Sequence, residues 1–141
     1  MALINRKTYK KIEYYLYNYN EIKKEIEQYK EDIALGGGRE YGEVGGGQSY
    51  HSDPTAIKAI KLASSKITED EKWLKIVEQT MKKYKGTAKE FLIKLKYEKS
   101  LGEVRICREL NIERATYYNW RNEIVTYAAL IAAQEGLIKV A

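Results

Sequence analysis

The sequence is poor in the residue types on which disulfide, zinc and membrane chemistry depend. Its 141 residues include one cysteine, one histidine and one proline. A lone Cys107 cannot form an internal disulfide, and one cysteine with one histidine is too few for a zinc cluster. No stretch approaches the roughly 20 apolar residues of a membrane-spanning helix, and the N-terminus lacks the apolar region of a signal peptide. These shortages predict a cytoplasmic protein with no membrane partner, no cofactor and no metal.

The apolar and charged contents indicate a folded domain with a mild basic excess. Hydrophobic residues make up 44% of the chain, enough to bury a core and too much for a wholly disordered protein. The net charge is +5, and residues 85–126 hold nine Lys and Arg against six Asp and Glu. This local excess permits a polyanionic partner but does not require one.

The N-terminal segment, residues 1–34, is predicted to be an amphipathic helical arm with its helix running from Arg6 to Ala34. Apolar residues recur there with the alternating three- and four-residue spacing of a coiled-coil seam. The seam consists of Ile12, Tyr15, Tyr19, Ile22, Ile26, Tyr29 and Ile33. Its narrow stripe suits either a hairpin with a later helix of the same chain or a homodimer through the N-terminal helix.

Residues 35–52 hold seven of the ten glycines and predict a flexible linker. A phosphate-cradling loop would need a Lys-Ser/Thr pair opening a helix, which this segment lacks. His51 is more typical of a solvated loop residue than of a base or ligand. A middle helix is predicted over residues 53–85, since Asp is a good N-cap and Pro is preferred at the first helical position. Its acidic run, residues 69–71, is interpreted as a solvated face.

Residues 86–141 are predicted to form a bundle that contains a helix-turn-helix. Gly86 ends the middle helix, and Thr87 with Glu90 fits a capping box for the next one. Leu101-Gly102 stops that helix, and two more are expected over residues 103–110 and 114–134. The whole chain is therefore predicted to be all-α: a long N-terminal amphipathic helix, a long middle helix and a C-terminal helix-turn-helix bundle.

The helix-turn-helix is the motif that suggests a function, and it covers residues 103–122. Cys107 supplies the small residue that tightly crossing helices need in the first helix. Asn111 occupies the turn, where a residue that tolerates a left-handed backbone is required. Apolar side chains fall where both helices face inward: Ile106, Leu110, Ile112, Tyr117 and Trp120.

The polar side chains of the motif suit duplex DNA. A recognition helix places its N-terminal residues at base edges in the major groove, where Arg pairs with guanine and Asn with adenine. Arg114 and Asn119 are the first candidates for base contacts, and Thr116 and Tyr118 can reach bases or phosphates. The remaining candidate contacts, mainly to phosphates, are Lys99, Arg105, Arg108, Arg121 and Asn122. The alternative is a plain helical pair with solvated polar residues, which many bundles contain.

Taken together, these features resemble the ArpU/RinA-type family of phage and prophage late transcriptional regulators of Gram-positive bacteria. The resemblance rests on the Lys- and Tyr-rich first helix, the Gly-containing stretch and Ser-Asp-Pro-Thr-Ala at residues 52–56. It rests also on a helix-turn-helix similar to region 4 of sigma factors and on the apolar tail at residues 136–140. The Gly-rich segment is longer than the family pattern, and Glu113 stands where that pattern has Ser or Thr.

The resemblance implies a DNA-binding activator of phage late genes that acts in the bacterial cytoplasm. Such a regulator is expected either to form a dimer or to dock on RNA polymerase as a monomer. It supports recognition positions Arg114, Thr116, Tyr118 and Asn119. A small DNA-packaging subunit of the terminase type, assembled into a ring on phage DNA, is the alternative. An enzyme is not expected, because no nucleophile–base pair is visible in the sequence.

Overall fold

A computed structural model describes residues 4–35 and 54–139, which are helical apart from turns and short connecting segments. The α-helices are α1 (Arg6–Tyr17), α2 (Tyr19–Leu35), α3 (Pro54–Tyr84), α4 (Ala88–Ile93), α5 (Glu103–Leu110) and α6 (Arg114–Gln134), and a π-helical turn, Lys94–Glu98, follows α4. The predicted all-α class is confirmed. Beyond Leu35, the predicted Gly-rich linker with His51 lies outside the described residues, as does Asp53.

The prediction of one N-terminal helix from Arg6 to Ala34 is wrong, because the helix is interrupted at Asn18. The first segment begins at the N-cap Asn5, whose Oδ1 accepts a hydrogen bond from Thr8 N at 2.8 Å. At Asn18 the backbone N–H and the side-chain Nδ2 both donate to Tyr14 O, at 3.0 and 2.8 Å. An Asn side chain that competes for a backbone carbonyl in this way favours helix ends. The heptad spacing continues across Asn18 and so does not reveal the interruption.

The chain forms two compact units, of which the first joins residues 1–19 to residues 73–141. Its core contains Trp73, which is fully buried and stacks on Tyr15 with ring centroids 5.0 Å apart. Each of α1, α3, α4, α5 and α6 contributes a side chain that is almost wholly removed from solvent. These are Ile12, Ile76, Leu92, Ile106 and Ile124. Burying such side chains is the main contribution to the stability of this unit.

The second unit, residues 20–72, pairs α2 with the N-terminal part of α3. Tyr29 Oη lies 3.3 Å from Ser64 Oγ, and Lys30 forms an ion pair with Glu71. Ile22 and Ile26 are buried, while Ile33 at the end of the predicted seam is 59% exposed. In these contacts α2 pairs with a later helix of the same chain, which is one of the two arrangements predicted from the heptad spacing; the other is a homodimer.

The acidic run on α3 differs from its predicted solvated face at one position. Asp70 is only 6% exposed, and Lys66 Nζ lies 3.6 Å from its Oδ1. Glu71 is engaged by Lys30. The run therefore contributes to the packing of the second unit, because its central carboxylate points inward.

Gly86 and Thr87 separate α3 from α4 as predicted, but the capping box is wrong. Thr87 is the extended N-cap residue of α4, yet its hydroxyl donates to Tyr84 O at 2.6 Å. The Glu90 carboxylate accepts from Gly86 N at 3.1 Å instead of from the N-cap residue. Gly86, at φ +82°, allows the chain to turn so that these bonds close the end of α3.

Candidate nucleic-acid interface

Two helices joined by a tight turn form the motif, and α5 and α6 begin and end at the predicted residues. Asn111 adopts the left-handed conformation, with φ 54° and ψ 50°. Ile112 N donates to Cys107 O at 3.0 Å and Asn111 N to Arg108 O at 3.3 Å, which is the pattern of a Schellman helix end. The prediction of a left-handed turn at Asn111 is confirmed. Ile106 and Tyr117 are buried and hold the two helices together.

Trp120 was predicted to be a core residue, and the structure corrects this prediction. Its ring is half-buried, with Lys89 Nζ 5.9 Å from the ring centroid. Lys89 also forms an ion pair of 2.6 Å with Glu123 Oε2. An indole ring beside a paired ammonium group is a boundary position, because it presents an apolar face to the protein and an edge to water.

The first turns of α6 present candidate base-reading side chains to solvent. The Arg114 side chain is 76% exposed, Asn119 is exposed and Thr116 is half-buried. Glu113 is the extended N-cap residue of α6, and its carbonyl accepts from Tyr117 N at 3.0 Å. An exposed helix start that carries Arg and Asn matches the part of a recognition helix that meets base edges.

Glu103, the first residue of α5, is bound to two of these candidates. Arg114 Nε lies 2.6 Å from Glu103 Oε2, and Tyr118 Oη donates to Glu103 Oε1. The Arg114 guanidinium also lies 5.8 Å from the centroid of the Tyr118 ring. Its pKa is raised by the hydrogen bond to Tyr118 and by the charge of Glu103. Nothing in the sequence around Glu103 indicates this role, because an acidic residue in the first turn of a helix is already favoured by the helix dipole.

Three arginines and two glutamates line an open depression beside these residues. Arg105 is 67% exposed and lies 3.4 Å from Glu109, and Arg108 is exposed. Lys99, just after the π-helical turn, is exposed as well. The depression is lined by Gly102, Glu103, Val104, Arg105, Arg108, Glu109 and Arg114. Arginines close together make the local potential positive, which lowers the electrostatic energy of a phosphate placed there and favours a polyanion.

Two of the predicted DNA contacts are bound within the protein. Arg121 donates two hydrogen bonds to Glu13 of α1, from Nη2 to Oε1 at 2.7 Å and from Nε to Oε2 at 2.9 Å. The Asn122 amide oxygen accepts from Tyr9 Oη at 2.7 Å. Both side chains thus join α6 to α1 and help to orient the recognition helix.

Glu13 is the centre of a polar cluster that the sequence analysis missed. Tyr97 Oη donates to Glu13 Oε2 at 2.7 Å, beside the Arg121 pair. Burial alone would raise the pKa of Glu13, but its bonds to Arg121 and Tyr97 outweigh burial and lower it. Burial raises the pKa of Tyr97 well above its usual value, and Glu13 raises it further. The cluster is therefore an ionised carboxylate held by a cation and a neutral hydroxyl.

Lys96 on the π-helical turn was also missed. It is 8% exposed, and its Nζ lies 5.4, 5.5 and 5.8 Å from the rings of Tyr17, Tyr97 and Tyr117. Burial lowers the pKa of Lys96, but hydrogen bonds to Tyr17 and Tyr117 outweigh it, and the pKa is raised. In the sequence, only the high number of tyrosines hints at such a site, and the sequence does not show which of them surround Lys96.

Comparison with known proteins indicates the same motif. The model of a helix-turn-helix family described as Transposase matches residues 78–132, less than half of the chain. The match runs from the end of α3 through α4 and α5 to near the end of α6. Searches of curated proteins and of solved structures found no match. The C-terminal part of the chain is a helix-turn-helix DNA-binding domain, and the match goes no further than this class.

Two other kinds of site were sought over residues 4–35 and 54–139. No helix in these ranges is both long and apolar enough to cross a membrane. The same residues hold no group of three or more His, Cys, Asp or Glu side chains able to bind a metal ion.

Proposed function

We propose that the chain is a transcriptional regulator that inserts the first turns of α6 into the major groove of duplex DNA. The observation that carries the proposal is the exposed start of α6, with Arg114 and Asn119 in solvent on a helix-turn-helix that matches a DNA-binding family. Thr116 and Tyr118 complete the candidate reading set. Arg105, Arg108 and Lys99 are assigned to phosphates, which position a protein without reading sequence.

Arg121 and Asn122 are left out of the proposed contacts. Arg121 is already paired with Glu13, and Asn122 is bonded to Tyr9. Moving Arg121 to a phosphate would leave the Glu13 carboxylate buried without its cation, which is costly. Their assigned role is to hold α6 against α1 while other residues contact DNA.

The resemblance to ArpU/RinA-type regulators extends the proposal to activation of phage or prophage late genes, with RNA polymerase as a protein partner. A homodimer through the N-terminal helix is part of this proposal, and dimers of this class bind half-sites that lie one helical turn of DNA, about 10 base pairs, or a multiple of it apart. Mass measurement in solution separates the alternatives, because a monomer or dimer fits a regulator and a ring of many subunits fits a terminase-type packaging subunit.

The description of the matched family favours a second candidate, recognition of DNA ends in transposition. The location of the bound sequence separates the two functions. A site upstream of a transcription unit supports a regulator, whereas sites at both ends of a mobile element support transposition.

The test begins by enriching a preferred duplex from a random pool with the parent protein. Affinity for that duplex and for an unrelated duplex of equal length is then measured at two salt concentrations. We expect Arg114→Ala and Asn119→Ala each to reduce the preference by about 5- to 150-fold, the worth of one good bidentate base contact. Most of the weak binding to unrelated DNA should remain, because phosphates supply it.

Lys82→Ala is the matched control, since Lys82 is an exposed cation on α3 outside the proposed contact set. It should leave the preference unchanged. Circular dichroism of each variant checks that the fold is kept. Folded Arg114 and Asn119 variants with the full parental preference would contradict the proposed reading set, and failure of the parent to bind duplex DNA at low salt would contradict the function itself.

A further inference from the structure

The Glu103 carboxylate lies at the proposed DNA surface, where a negative charge is unfavourable for binding. It belongs to the depression that also contains Arg105, Arg108 and Arg114. Its side chain is 23% exposed, so it is close enough to the surface to repel a phosphate placed on those cations. The start of α5 gains from an acidic residue through the helix dipole. That gain requires no contact with α6, and yet Glu103 binds two side chains there.

Both partners of Glu103 are candidate readers. Arg114 meets one carboxylate oxygen through Nε, at 2.6 Å, and Tyr118 donates to the other. A free arginine side chain has many rotamers and loses conformational entropy when it is fixed. The Glu103 bond fixes Arg114 before DNA arrives, and Nε is the guanidinium nitrogen nearest the backbone. A paired guanidinium is also less available to any phosphate it meets.

We propose that Glu103 is a positioning residue that determines specificity. Its carboxylate holds Arg114 and Tyr118 toward the base edges and keeps Arg114 from binding phosphates at random. Discrimination between DNA sequences is gained, and affinity for DNA in general is reduced. The inference rests on the proposed function, since it names how the proposed readers are directed.

Glu103→Gln tests the proposal, with Glu109→Gln as its matched control. Glu109 lies on the same helix and in the same depression, and it pairs with Arg105 instead of Arg114. Both changes remove one negative charge beside the DNA surface. Both should therefore raise affinity for an unrelated duplex by about two- to five-fold. Only Glu103→Gln should lower the preference for the enriched duplex, by about 3- to 10-fold, because only it releases Arg114.

Salt dependence supplies a second measurement that a merely structural role would not change. A released Arg114 should bind a phosphate in unrelated DNA and displace about one more counterion. The slope of log affinity against log salt should then steepen by about one for Glu103→Gln. It should remain near the parental value for Glu109→Gln, because Arg105, which that change releases, is proposed to contact a phosphate in the parent already. Equal slopes and equal loss of preference in the two variants would mean that Glu103 acts only through its negative charge, and this result would overturn the proposal.

The double variant Glu103→Gln/Arg114→Ala shows whether Glu103 acts through Arg114. In a chain that already lacks Arg114, the Glu103 change should lower the preference by less than it does in the parent, because only the bond to Tyr118 is left to lose and coupled residues are not additive. A full further loss in the double variant would also overturn the proposal. If Glu103→Gln does not fold, Glu103→Asp keeps the negative charge but draws the carboxylate back from Arg114 and Tyr118. It should lower the preference in the same direction, and no change there would count against Glu103.

Failure of this inference is distinguishable from failure of the proposed function. If the parent enriches no preferred duplex, the function is at fault and the role of Glu103 falls with it. If the parent shows a preference that Arg114→Ala removes and Glu103→Gln keeps, DNA reading stands and the positioning role is refuted.

Discussion

Asn111 sets the turn between α5 and α6 by adopting a backbone conformation that few residues tolerate. At φ 54° and ψ 50° its N–H reaches Arg108 O, and the next N–H, of Ile112, reaches Cys107 O. This conformation destabilises a residue that has a Cβ by about 1–2 kcal/mol, and the effect is smaller for Asn because its side-chain amide can form hydrogen bonds with the nearby backbone. The path of the chain into the recognition helix therefore depends on this position.

Substitution of Asn111 tests that dependence. Asn111→Ala should lower the free energy of unfolding by about 1 kcal/mol, and Asn111→Gly should change it little, since Gly adopts φ > 0 freely. Thermal melting followed by circular dichroism should show a Tm lowered by about 4–8 °C for the Ala variant. Asn119→Ala is the control, because Asn119 lies in a helix and Ala is a good helix former there. Equal melting of the two Asn111 variants would contradict the argument.

Glu13 is the residue whose ionisation matters most for the fold. Its carboxylate is buried with Arg121 and Tyr97, and its pKa is lowered by those partners. Glu13→Gln leaves Arg121 without its counter-charge and should destabilise the protein by about 3–5 kcal/mol near pH 7. Glu98→Gln, at an exposed carboxylate on the π-helical turn, should have little effect. Urea unfolding of the three proteins measures the difference.

The pH dependence of the Glu13 effect has a definite sign. Because the pKa is lower in the folded state than in the unfolded state, the stability that Glu13 contributes is fully present above the usual glutamate pKa of about 4.5. It is lost as the pH falls through the lower, folded value. The gap between the parent and Glu13→Gln should thus be widest near neutrality and narrow below about pH 4. A gap that is constant over this range would mean that charge is not the cause.

These two residues mark the reach of sequence reasoning. Asn111 was predictable because the evidence for it is local. A helix-turn-helix needs a residue that tolerates the left-handed conformation at the end of its first helix, and Asn111 stands at that position. The Glu13–Arg121 pair joins residues 108 positions apart, and nothing local distinguishes Arg121 from the exposed Arg114. Both occupy one helix and both have a polar neighbour, so only the packing of α1 on α6 separates an internal cation from a reader.

At the scale of helices, boundaries marked by helix-breaking or capping residues were predictable, and boundaries without such residues were not. Gly86, Gly102 and Asn111 end or begin helices where the sequence indicates. The interruption at Asn18 went unseen because the apolar spacing is continuous through it. The π-helical turn after α4 was hidden for a different reason. A π-helical turn has one residue more than a regular helical turn. This turn is stabilised by the burial of Lys96 and Tyr97 against tyrosines that are far away in the sequence.

The π-helical turn connects the helix-turn-helix to α1. Tyr97 reaches Glu13, and Lys96 lies against Tyr17 of α1 and Tyr117 of α6. One short element thus contacts both the first helix and the recognition helix. Lys96 and Tyr97 are adjacent on this turn, and both lie in the interior.

At the scale of the whole molecule, the DNA-binding unit is discontinuous in sequence. The family match covers residues 78–132, but the compact unit that contains them also contains residues 1–19. Helix α1 contributes Ile12, Tyr15 and Leu16 to its core, and Glu13 to its polar cluster. A helix-turn-helix that is recognisable on its own is here completed by the opposite end of the chain.

Removal of residues 1–18 from the otherwise complete chain tests this organisation. The loss of three buried apolar side chains costs about 1.5–3 kcal/mol each, and the core surface that α1 covers becomes exposed to water. Because domains are stable by only about 5–15 kcal/mol, we expect the cooperative thermal transition and binding to the enriched duplex to be lost together. Arg6→Ala/Lys10→Ala removes two exposed charges of α1 while keeping its buried face, and it should retain both properties. A truncated chain that still melts cooperatively and prefers the enriched duplex would show that residues 73–139 hold the recognition helix without α1.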